Sequence, residues 1–154
     1  DIKGYYKRIN DVFEKIENWT NLSVIIGASG KYDYKVNPFK NRQIIYKKTS
    51  NLIQHAEFVL GHWSSGLEQA IVSYKPLLMF KDYGFSIIKN KSIESLAKSY
   101  KLNCIWTNEL TRSYLEKNNC VNKANYKELI TNYLKEENIT GTFIENITSA
   151  LHEI

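Results

Sequence analysis

Residues 58–80 constrain the fold of this chain more than any other stretch. Phe58 to Gly61 is a short apolar run of the kind that forms a buried strand. Trp63 to Gly66 is small and polar, and two of its residues are able to cap a helix. Leu67, Ala70, Ile71 and Tyr74 then recur at i, i+3, i+4 and i+7, one face of an amphipathic helix. Pro76 ends that helix and opens a second apolar run, Leu77 to Phe80. Strand, tight polar turn, helix and strand make the unit from which parallel sheets are built. The turn falls where open α/β sheets bind their ligands.

The flanking sequence repeats the alternation. Tyr6, Ile9, Val12, Phe13 and Ile16 predict a helix from Tyr5 to Asn18, and Leu22 to Ile26 predicts a strand. Gly27-Ala28-Ser29-Gly30 follows that strand, either as a close-approach loop for a phosphate or sugar or as a plain turn. Lys31 to Arg42 reads as a surface loop. Gln43 to Tyr46 is a short strand, and Asn51 to His55 a short helix with Thr49 or Ser50 as its N-cap. After Phe80, a loop leads to a helix starting at Ser92 with Ile93, Leu96 and Ala97 inside. Asn103 to Trp106 is the last strand, and Leu110, Tyr114 and Leu115 hint at one more helix. Asn125-x-x-Glu128 and Thr142-x-x-Glu145 resemble capping boxes that open two final helices. The expectation is an α/β layered fold with a mostly parallel sheet of four or five strands, closed by the C-terminal helices.

Composition narrows the class. A chain of 154 residues with 43% hydrophobic and 24% charged residues supports one globular domain. The net charge of +5 suits an anionic partner, but Lys, Asn and Ile usage of this kind also follows from base composition alone. No basic stripe with interleaved aromatics points to nucleic acid. Cys104 and Cys120 lack metal or redox spacing and read as reduced thiols of a cytosolic protein. The N-x-S/T triplets at Asn18, Asn21, Asn138 and Asn146 arise by chance in an Asn-rich chain. No apolar run reaches the ~18 residues of a membrane span, and the start at Asp1 suggests a piece of a longer protein.

The Ser64–Gly66 turn carries the chemistry. Orphan N–H groups of a helix's first turn, with its dipole, make a site for phosphate or carboxylate. Ser64 and Ser65 add hydroxyls, and Gly66 leaves the backbone open to an anion. The competing reading is structural: Ser65-x-x-Glu68 is itself a capping box. His62 ends the strand before the turn, as an acid, base or phosphate donor, or simply as a packed side chain. Glu68 and Gln69 either reach back over a ligand or form ordinary helix surface. His55 and His152 read as structural or surface. No His/Cys/Asp/Glu cluster suggests a metal, and no Ser-His-Asp order fits a nucleophilic triad.

Taken together, Thr49-x-x-Leu52-Ile53, Phe58-Val59-Leu60-Gly61-His62, Ser64-Ser65, Ala70-Ile71 and Lys75-Pro76-Leu77-Leu78 resemble the C-terminal half of GT-B glycosyltransferases. Bacterial capsule and surface-polysaccharide biosynthesis proteins are the nearest in pattern, and the non-hydrolysing sugar-nucleotide 2-epimerases are similar. The resemblance spans Leu22 to Phe80. It implies a single Rossmann-like three-layer sandwich, the C-terminal domain of a two-domain protein, that binds a nucleotide sugar as substrate with no other cofactor. The diphosphate would lie on Ser64, Ser65 and Gly66, with Gly27, Ser29 and Thr49 lining the site and His62 assisting catalysis. Such proteins often hold the ribose with a Glu seven residues before the proline; Pro76 places Gln69 there, with Glu68 beside it. They often carry a His-Pro-Lys-like segment where this chain has Gly27 to Lys31. The missing N-terminal domain would supply the acceptor side, and the full-length protein would be cytoplasmic with peripheral membrane association. An epimerase-like domain and a non-catalytic Rossmann-like binding or interaction domain are the alternatives.

Overall fold

A computed structural model describes residues 2–30 and 33–136. The expected terminal helix around Thr142–Leu151, His152, the triplets at Asn138 and Asn146, and Lys31 lie outside the described residues. Elements run α1 (Ile2–Thr20), β1 (Ile26–Ala28), β2 (Ile44–Tyr46), α2 (Thr49–His55), β3 (Val59–Gly61) and α3 (Ser65–Val72). They continue with β4 (Leu77–Lys81), α4 (Ile87–Ser99), β5 (Cys104–Trp106), a 3-10 turn (Thr107–Glu109), α5 (Arg112–Asn118) and α6 (Lys123–Glu136). All strand pairs are parallel, and helices cover both faces, which makes a Rossmann-like α/β sandwich.

The central strand shows why. In β4, Leu77 and Met79 point into one apolar cluster, with Ile53 of α2, Leu67, Ala70 and Ile71 of α3, Ile93 and Ala97 of α4, and Tyr126 and Leu129 of α6. Leu78 and Phe80 point into the other, with Ile9, Val12, Phe13 and Ile16 of α1, Phe39, Leu110 and Leu115. A strand buried on both faces has no polar side, so it reads as an unbroken apolar run. Burying these side chains removes enough apolar surface, at ~25 cal/mol per Å2, to drive the layering.

The strands do not form one continuous sheet. β1 pairs with β2, Ile26 opposite Ile44, and β3-β4-β5 form a second sheet. The free edges of β1 and β3 flank a shared cavity, giving the spatial order β2-β1, gap, β3-β4-β5. The connection from β1 to β2 places Phe39 on the α1 side, whereas α2, α3 and α4 pack on the opposite side. Right-handed crossovers require this change of face when the strand order reverses direction. The reversal lies between β1 and β3.

Several expected boundaries move. β1 lies at Ile26–Ala28 rather than Leu22–Ile26, because pairing with β2 selects that register; Leu22 and Ile25 stay exposed. Gly27 is therefore within a strand, not in the turn after it. α2 begins at Thr49, with Lys48 at the cap and no side-chain cap bond, so neither Thr49 nor Ser50 caps it. α4 starts five residues earlier than Ser92, where Ser86 Oγ accepts the Lys89 N–H at 3.2 Å. The predicted Asn125–Glu128 box is absent: Asn122 Oδ1 accepts the Asn125 N–H at 3.0 Å, and Glu128 pairs with Lys101 at 2.7 Å. α6 packs on the α3 face, while α1 and α5 cover the other.

Candidate functional site

The cavity between β1 and β3 has a volume of about 450 Å3. Its body is apolar, walled by Ile9, Phe13 and Ile16 of α1 and by Leu52 and Ile53 of α2. At the carboxyl ends of the two strands the wall turns small and polar, with Gly27, Thr49, His62, Ser64 and Gly66. Open α/β sheets bind ligands outside the carboxyl ends of strands where the order reverses. This mouth occupies that position.

Local packing explains the small residues. A Cβ on Gly27 would sit 3.4 Å from Leu52 Cδ1 and 3.8 Å from Thr49 Oγ1. One on Gly66 would sit 3.4 Å from Ser64 Oγ and from Thr49 Cγ2. Thr49 thus stands between the two glycines and joins the start of α2 to the start of α3. At Gly61 the demand is stricter, since a Cβ would overlap Leu67 Cδ2. α3 consequently leaves the strand end closely packed.

Ser64 is the N-cap of α3, extended at φ −168° and ψ 158°, and its side chain makes no cap bond. The capping box expected at Ser65 and Glu68 does not form, because Ser65 is already helical. Glu68 instead accepts the Tyr100 hydroxyl at 3.3 Å, on the α4 side. Gln69 turns the other way and donates to Ser50 Oγ at 2.6 Å, tying the first turns of α2 and α3 together. The structure therefore separates two residues that the sequence sets side by side. Ser29 is exposed beyond β1; it, Ser65, Glu68 and Gln69 lie off the cavity wall.

His62 is held at both ring nitrogens. Nδ1 lies 2.6 Å from the Phe80 carbonyl oxygen, which only accepts, so Nδ1 carries the proton. Nε2, 3.2 Å from the Tyr5 hydroxyl, is then the acceptor. Phe85 packs edge-on at 4.9 Å between ring centroids. Burial lowers the His62 pKa below the ordinary imidazole value, partly opposed by the bond to Phe80. Burial also pushes the Tyr5 phenol upward, keeping it a neutral donor. The ring is a neutral imidazole with one fixed tautomer.

Beside it lies a polar cluster that sequence reasoning missed. Asp82, fully buried just past β4, receives Arg8 Nε at 2.9 Å and Nη2 at 2.6 Å. Thr107 Oγ1 donates at 2.6 Å and the Gly84 N–H at 2.7 Å. Asn90 bonds the Asp82 main chain in both directions. Burial alone would raise the Asp82 pKa; the Arg8 and Thr107 bonds outweigh it and hold the carboxyl below its ordinary range. The one available signal was a carboxylate two residues past the apolar run Leu77 to Phe80. Its partners lie 74 and 25 positions away in the chain.

Among the described residues, no group of three His, Cys, Asp or Glu side chains is placed to hold a metal ion. Cys104 and Cys120 are free thiols. Fold and site together define an α/β protein with a ligand-sized cavity at the reversal point of a parallel sheet. No family model, curated protein or solved structure matches the chain.

Proposed function

We propose that the chain is the donor-binding half of a glycosyltransferase of bacterial surface-polysaccharide biosynthesis, working in the cytoplasm. One observation carries the reading: Gly27, Thr49, Ser64 and Gly66 meet at the mouth of an open cavity where strand order reverses. The diphosphate of a nucleotide sugar lies against the first turn of α3. There backbone N–H groups and the Ser64 hydroxyl, unused as a cap, donate to it. Donors aimed at the leaving diphosphate stabilise charge that grows in the transition state, with no covalent intermediate on the protein. Gln69, fixed by Ser50, stands on the α2 side of this turn, whereas Glu68 is turned to Tyr100. A second domain supplies the acceptor and the catalytic base.

The state of His62 favours a second reading. With Nδ1 on Phe80 and Nε2 on Tyr5, the ring acts as acid or base only after Tyr5 releases it. A non-catalytic α/β binding domain keeps the same cavity and needs no free histidine. Calorimetry with UDP, GDP, CDP and CMP, on the chain and on its Ser64→Ala/Ser65→Ala variant, tests the donor site. Selective binding that the variant loses supports it. No binding by folded protein, in this chain and in any longer form carrying a second domain, rules it out. Binding without transfer in the longer form selects the second reading.

A further inference from the structure

The gap between β1 and β3 is bounded by two unpaired main-chain edges. The Ile26 N–H donates to the Gln43 carbonyl and the Ala28 carbonyl accepts the Lys47 N–H, so both residues face β2 and Gly27 between them faces away. The Val59 N–H donates to the Pro76 carbonyl, so Val59 faces β4 and Leu60 faces away. Gly27 and Leu60 thus each turn an N–H and a C=O towards the one cavity that both line. Among the described residues no strand runs between these edges, and neither edge bonds to the other. Main-chain groups inside a fold are almost always paired.

The other walls are those of a sheet interior. Ile9, Phe13 and Ile16 of α1 line one side, and Leu52, Ile53 and Leu67 of α2 and α3 the other. Among the described lining residues Glu57 is the only acid, and there is no Lys or Arg. The lining follows β1 from Val24 to Gly27 and β3 from Phe58 to Gly61, a length of ~13 Å at ~3.3 Å per residue. Over that length, about 450 Å3 leaves a cross-section of roughly 35 Å2. A strand with full-sized side chains on both faces takes about 48 Å2, being ~4.8 Å wide in a layer ~10 Å deep. The gap therefore suits a strand with small side chains. An alkyl chain would fill the same space but leave both edges unpaired, whereas alternate residues of a strand bond to β1 and to β3.

We propose that the gap between β1 and β3 receives an extended segment of another polypeptide, uncharged and built from small residues such as Gly, Ala, Ser and Val, which pairs with Gly27 on one side and Leu60 on the other. The segment joins the sheets of two and three strands into one of six. This rests on the main-chain edges alone, so it stands or falls apart from nucleotide binding at the mouth.

The probe is a synthetic peptide, acetyl-Lys-Ala-Val-Ala-Val-Lys-amide, whose lysines stay outside the gap for solubility. Its control carries N-methyl groups on the two central residues, which removes one donor from each edge. Hydrogen exchange of the Gly27 and Leu60 amides, followed by NMR on the 154-residue chain, reads the gap directly. Both amides are expected to exchange fast in the free chain, and peptide at about ten times its Kd to slow them about tenfold. The control is expected to bind at least about tenfold more weakly, since each lost donor leaves a buried carbonyl unpaired. Four outcomes overturn the proposal: slow exchange at both amides in the free chain, no peptide binding by folded protein, equal binding of the control, or dodecanol entering the gap in place of the peptide. The first would mean that the edges are already paired within the chain, and the last would assign the gap to an alkyl chain.

Discussion

Arg8 and Asp82 form a two-point ion pair, Nε to Oδ2 at 2.9 Å and Nη2 to Oδ1 at 2.6 Å, that fastens α1 to the end of β4. The carboxylate is fully buried, whereas a quarter of the Arg8 side chain remains exposed. Removing the arginine leaves a buried charge with only Thr107 and the Gly84 N–H as donors. Arg8→Ala is expected to cost about 3 kcal/mol in urea unfolding, near the low end for breaking such pairs because water reaches the vacancy. The folded Asp82 pKa is depressed, so its contribution is complete above the ordinary carboxylate value. It is lost as pH falls from there through the folded value, and Asp82→Asn should flatten that acid limb.

His62 sets a second pH dependence at a higher range. Its folded pKa is lowered, so the unfolded chain takes up the proton first. Stability should therefore be full above the ordinary imidazole value of about 6.5 and fall as pH drops towards the folded value. His62→Gln should remove this segment of the profile while leaving the Asp82 limb in place. Thermal unfolding across the pH range separates the two.

Two serines at helix starts should respond differently to alanine. Ser86 accepts a cap bond from Lys89, so Ser86→Ala should cost about 1 kcal/mol. Ser64 occupies the cap position of α3 without such a bond, so Ser64→Ala should cost no more than a few tenths of that. A full-sized loss at Ser64 in denaturant titration would return the hydroxyl to a structural role and remove it from the ligand site.

The glycines separate packing from binding. A Cβ at Gly61 meets the buried Leu67, and Gly61→Ala should destabilise by about 1–3 kcal/mol through overpacking. At Gly66 the nearest atoms stand 3.4 Å away, and the residue lies inside a helix. Gly66→Ala should leave stability unchanged or raise it by about 0.5 kcal/mol, while weakening any nucleotide diphosphate that approaches the backbone. Unfolding and calorimetry on this one variant give both answers.

Legibility in the sequence followed the range of the interactions. The unit from Phe58 to Phe80 was readable because its pattern is local: an apolar run, a cap, an i, i+3, i+4 stripe and a proline. The start of α4 was not, because Ile87 and Ile88 are apolar yet exposed and the stripe appears only from Ile93. Gly27 was misplaced because its strand register comes from β2, 17 or more residues away. Of the residues at the cavity mouth, His62, Ser64 and Gly66 were singled out from the strand end and its turn, whereas Thr49 came only with the family resemblance. Glu68 and Gln69 were adjacent in sequence but answered to different neighbours, Tyr100 and Ser50.

By itself the sequence determined the alternation of helices and strands and the apolar run, Leu77 to Phe80, that becomes β4. Those outcomes depend on periodicity and caps, which act over a few residues. Only the tertiary structure decided that the strands divide between β1 and β3 and that the cavity opens there. It also decided that His62 is held neutral between Phe80 and Tyr5, and that Asp82 is matched by Arg8 and Thr107. Burial and hydrogen bonding between distant elements set these, because a side chain's protonation and partners depend on what folding brings beside it.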